Sequence, residues 1–138
     1  MPAEDQAAPS GGLLSFGVPL LLVDSITEAI GLGSGCVVVS GSHGGISSAR
    51  YALAARPLLC VFNDAGVGKD EAGVAALAFL QSQDIAACTV AHTSARIGDA
   101  LSTLNDGVIS HVNAPAAALG AHAGQSCSAA VQHVRKTI

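Results

Sequence analysis

The chain has 138 residues, 13.5 kDa, six basic and ten acidic side chains, a net charge of −4 and a pI near 5.6. Half of it is apolar and only 12 % charged, which excludes disorder, a state of low hydrophobicity and high charge, while the acidic balance argues against a nucleic-acid partner. So few charges also cover a lone small domain poorly, so a subunit interface, as in a homo-oligomer, is expected.

Residues 1–12 read as a flexible N-terminal tail with Pro2, Pro9 and the Gly11-Gly12 pair, and 13–138 as a single domain. The tail lacks the basic region of a secretory signal. Apolar runs such as Val18–Val23 fall far below the ~18 residues that span a bilayer, so a soluble, cytoplasmic protein without a membrane partner is expected. Val18–Val23 is also the first predicted strand. The next segment, Asp24–Gly35, is barely long enough for a helical crossover, so this strand either pairs antiparallel or lies at the sheet edge. Cys36–Ser40 is a second strand, and Ile46–Ala55 (ISSARYALAA) a helix that stops before Pro57.

Leu58–Phe62 is a third strand. Asp70–Gln83 follows as a helix whose two leading acids suit the positive end of its dipole. Ile85–Val90 is the fourth strand, Ala95–Leu104 a further helix, and Gly107–Val112 the fifth strand. Ser126 caps a C-terminal helix ending in Arg135 and Lys136. Strands alternating with helices, with near-continuous apolar strands, imply an α/β fold: three layers, a mainly parallel sheet of about five strands with helices on both faces, Rossmann-like or flavodoxin-like in style. The four cysteines show no C-x-x-C pair and three lie in apolar runs, where cysteine acts as a small hydrophobe.

Parallel α/β sheets bind ligands outside the carboxyl ends of their strands. The residues following the strands are Asp24-Ser25, then Ser40 to Gly45, then Asn63 to Asp70, then His92 to Asp99, and last His111-Val112-Asn113. With Glu71 they hold seven of the chain's sixteen charges, together with His43 and His92. Loops attract charge and caps in any protein, but here glycines accompany them. Gly41, Gly44 and Gly45 around His43, and Gly66 and Gly68 before Lys69, allow close backbone approach and could form anion holes. Tight turns without function use glycine too.

Ser40-Gly41-Ser42-His43-Gly44 approaches the G-x-S-x-G nucleophile elbow, but Ser40 replaces the first glycine and the chain is too short for a full α/β-hydrolase. Ser42 with His92 as base and Asp64 as orienter satisfies the logic of an activated nucleophile in kind. The Asp64–Asp70 loop fails as a phosphate-binding P-loop, because Asn63 and Asp70 stand where glycine and Ser/Thr are needed. Gly31–Gly35 precedes a strand and so cannot act as a dinucleotide loop. His43, Asp64, His92 and Asp99 could meet at one edge, but no local ligand spacing supports a metal, and no cofactor is expected.

The expectation is a small cytosolic hydrolase or lyase acting on a small polar metabolite, anionic or bearing a carbonyl or amide, by acid–base or nucleophilic chemistry. His43, Asp64, His92 and Ser42 would be catalytic. Gly44, Gly45, Lys69, Asp70, Ser94, Arg96 and Asn113 would bind substrate, Arg96 by gripping a carboxylate or by pairing with Asp99. The alternative is a non-catalytic small-ligand-binding or regulatory subunit of an oligomeric complex.

Overall fold

A computed structural model describes residues 17–137; the tail expected over 1–12 lies outside the described residues. Five strands form one sheet in the order β1 (Leu20–Val23), β2 (Val37–His43), β3 (Leu59–Asn63), β4 (Ala86–Val90) and β5 (Ile109–Val112). The first four are parallel; β5 runs antiparallel to β4. Each β2, β3 and β4 position is buried up to the end of the strand, apart from Ser42 and His43, as the unbroken apolar runs require of central parallel strands.

Because β1 to β4 follow one another in a single direction, right-handed crossovers must lie on one face. That face carries the 3-10 turn Ile26–Ala29, α1 (Ile46–Ala55) and α2 (Ala75–Ser82) over Val38, Cys60, Phe62 and Ala87. The other face, with Val37, Val39, Val61, Cys88 and Ile109, is covered by α4 (Ala114–Ala118) and α5 (Cys127–Thr137), with Leu104 of α3 (Ala100–Asp106) at its margin. The result is the expected three-layer α/β arrangement. Its strand order has no reversal, unlike the 3-2-1-4-5-6 and 2-1-3-4-5 orders of Rossmann and flavodoxin sheets. The likeness to those folds is one of layering.

The short Asp24–Gly35 segment does make a parallel crossover, with a single 3-10 turn in place of a helix, and β1 is an edge strand. The helix expected from Asp70 starts at Ala75, because Asp70 and Glu71 take left-handed backbone conformations in a 3-10 stretch, Lys69–Val74. Gly73 fixes that start: its N–H donates to Val67 O, and an added Cβ would collide with the Asp64 carbonyl. The helix expected from Ala95 starts at Ala100, since Gly98 N–H is bound to Gly41 O and Asp99 caps the helix at Ser102 N–H. After α3, Ala91 N–H donates to Val108 O, so the chain re-enters the sheet at the edge it left and must run back antiparallel. All four cysteines are free; burial pushes the Cys127 thiol up to about 12 and raises Cys60 and Cys88 as well, so they stay protonated members of the core. Among the described residues no helix is long and apolar enough to cross a membrane.

Candidate functional site

In open α/β sheets the carboxyl ends of the strands carry ligand sites, above all where neighbouring strands continue to opposite faces. Among the described parallel pairs β3 and β4 do so: β3 continues to α2 on one face, β4 to α3, which lies against β2 on the other side. Asp64 and His92 stand at these two exits.

Asp64 is buried, and its Oδ1 accepts hydrogen bonds from Gly66 N–H at 2.8 Å and His92 N–H at 3.0 Å. The same oxygen lies 3.5 Å from His92 Nδ1. Burial alone pushes the Asp64 carboxyl up, but hydrogen bonds from Gly66 N–H, the Ser110 hydroxyl and His92 N–H, aided by the nearby imidazole, hold it below the usual carboxylate range. An ionised carboxylate 3.5 Å from Nδ1 favours the tautomer that carries the ring proton on that nitrogen, which would leave the Nε2 lone pair free on an exposed ring. His92 packs flat against Gly66, whose φ of +78° suits glycine.

The remaining expected residues do not all join this pair. His43 lines a neighbouring open groove of about 470 Å³, on the β2 side of the Ala65–Gly68 loop, with Gly45, Ile46, Ala65 and Val67. Its Nδ1 accepts Gly45 N–H at 3.1 Å, so a neutral ring offers an Nε2–H donor. Gly44 lies beneath, buried, donating to Asn63 O and accepting from Ala76 N–H, where a Cβ would meet Gly73 O at 2.5 Å. Lys69 and Asp70 are exposed on the far part of the loop and do not line the groove.

Ser42 is not placed for His92. Its Oγ accepts Ile26 N–H at 2.9 Å on the β1 side, and β3 separates β2 from β4. Ser94 is a turn residue, donating to Ala91 O and accepting from Val108 N–H. Arg96 pairs with Asp99 at 3.2 Å beside a separate shallow groove along α3. Asn113 lies at the opposite edge of the sheet, because β5 is antiparallel. There it accepts Ala87 and Ala116 N–H and donates to the Leu77 and Ile85 carbonyls. The expected constellation is therefore spread over several places, with Asp64 and His92 at its centre and His43 next to it.

Ser110, beside Asp64, and Thr89, next to Ser110, escaped the sequence reading, which took His111 only as part of the last strand exit. Register slips between Thr89 and Val90, so that Thr89 opposes His111, Val90 opposes Ile109, and Ser110 is the extra residue of a β-bulge. A bulge turns consecutive side chains to one side. Ser110 Oγ lies 2.8 Å from Thr89 Oγ1 and 3.2 Å from His111 Nδ1. Alternation along a strand predicts opposite faces for Ser110 and His111, so no local signal could have brought them together. Among the described residues no group of three His, Cys, Asp or Glu side chains is arranged to hold a metal ion. Comparison with protein-family models, with curated proteins and with solved structures finds no match to this chain.

Proposed function

We propose that this protein is a small hydrolase or lyase that works by acid–base chemistry on a compact polar metabolite at the β3/β4 exits. The observation that carries the reading is the Asp64–His92 pair: a buried, ionised carboxylate set 3.5 Å from Nδ1 of an imidazole whose other nitrogen is open to solvent. Asp64 orients the ring, His92 Nε2 removes or delivers the proton, and His43 offers a donor from the adjacent groove. A carbonyl-bearing or anionic substrate suits such donors. The reading includes a cytoplasmic protein that assembles with copies of itself, which the scarcity of charge and the exposed Ile30, Leu32, Ile46 and Tyr51 support.

The test is consumption of a mixture of small esters, amides and hydroxy acids followed by NMR. Wild-type protein should consume at least one component, and His92→Gln should slow this by roughly 100-fold or more without loss of thermal stability. An undiminished rate in folded His92→Gln overturns the reading. Ligand-dependent thermal stabilisation without consumption favours the ligand-binding subunit instead.

A further inference from the structure

We propose that Ser110 is the nucleophile of an acyl transfer at this edge, with His111 as its base, the substrate being a small ester or thioester. The proposal deepens the hydrolase reading above and rests on it. Three observations point to Ser110. The β-bulge places its hydroxyl and the His111 ring on one side of β5, which their adjacency in a regular strand would forbid. The Thr89 hydroxyl, fully buried, lies 2.8 Å from Ser110 Oγ and can donate to it; the Ser110 hydroxyl, which in the resting site reaches the Asp64 carboxylate and the Thr89 carbonyl at 3.4 Å, has His111 Nδ1 within 3.2 Å as the base to which it turns. Ser110 is partly exposed and His111 exposed at the sheet's edge strand, so an acyl group can reach the hydroxyl. This gives a nucleophile and base within hydrogen-bond reach, with a third group orienting the nucleophile.

In the reaction, Ser110 Oγ bonds to the substrate carbonyl carbon as its proton passes to His111 Nδ1. The carbon–oxygen or carbon–sulfur bond to the leaving group breaks, and the alcohol or thiol departs with that proton. Water then gives a proton to His111 and its oxygen to the acyl carbon, releasing the acid and restoring the Ser110 hydroxyl.

A fluorophosphonate ester incubated with the full chain, followed by intact-mass measurement and peptide mapping, tests this. A single adduct on Ser110 is expected, forming roughly 100-fold more slowly in His111→Gln. No adduct, or an adduct on another residue, overturns the proposal, and mapping on the wild-type chain needs no variant to fold. The two readings separate cleanly. An unlabelled Ser110 with consumption lost in His92→Gln leaves the acid–base reading standing without the serine. A labelled Ser110 with consumption unchanged in His92→Gln keeps the serine and removes His92 from the chemistry.

Discussion

At the residue scale Asp64 serves structure and chemistry through one oxygen. Gly66 N–H and His92 N–H both donate to Oδ1, so the carboxylate fastens the β3 exit to the β4 exit before it does anything to the imidazole. Its folded pKa lies below the ordinary range. Such a group adds stability that is complete above its unfolded pKa and is lost as the pH falls through the folded one. Asp64→Asn keeps an acceptor but removes the charge, and should cost about 1–3 kcal/mol at neutral pH, the size of a charge-assisted hydrogen bond. The gap between wild type and variant should close as the pH is lowered from the usual carboxylate range, near 4, towards about 2. Denaturant titrations across that range measure it; a gap that persists in acid would mean the charge contributes nothing.

The element scale shows what local chemistry can and cannot specify. Helix α1 was legible to both ends, because a run without glycine or proline is followed by Pro57. Its last step, Arg56, takes φ 56° and ψ 54° and donates its N–H to Ala52 O, the left-handed position that usually belongs to glycine. Arg56→Gly should therefore raise stability by about 0.5–1 kcal/mol, visible as a thermal midpoint higher by a few degrees; an unchanged or lower midpoint would show that the arginine stem packs usefully there. The central strands were legible for a similar reason: four- and five-residue apolar runs bounded by polar turns leave little choice. Asn113 was misplaced because strand direction is set by where α3 returns to the sheet, which no local pattern encodes. Ser110, and its meeting with His111, was missed for a related cause. A bulge depends on the register of the partner strand, and only the β4–β5 pairing reveals it. Asp64 and His92, by contrast, needed no more than their place after two buried strands.

At the scale of the molecule, the two ends of the described chain hold each other. Arg135, near the end of α5, donates its Nε to Val18 O at 2.6 Å, and Val18 N–H returns a bond to Arg135 O. Burial lowers the Arg135 pKa, so its charge is kept only by virtue of a guanidinium's very high starting value. This clasp lies where β1 begins, and β1 is one of the sheet's two edge strands: four residues, paired on one side, with Leu22 39 % exposed. Strands β3 and β4 are buried at every position and flanked on both sides, so their amides should exchange only through opening of most of the fold. Amides of β1 should exchange through a local opening that the clasp opposes. Arg135→Ala should accelerate exchange in the peptide spanning β1 by roughly tenfold, one lost hydrogen bond of about 1.4 kcal/mol, and leave β3 and β4 unchanged. Hydrogen–deuterium exchange by mass spectrometry reads both at once. Equal acceleration in all strands would place Arg135 in the global unfolding unit; acceleration in β1 alone would make this edge a separately opening unit, remote from the β3 and β4 exits and free to loosen without disturbing Asp64 and His92.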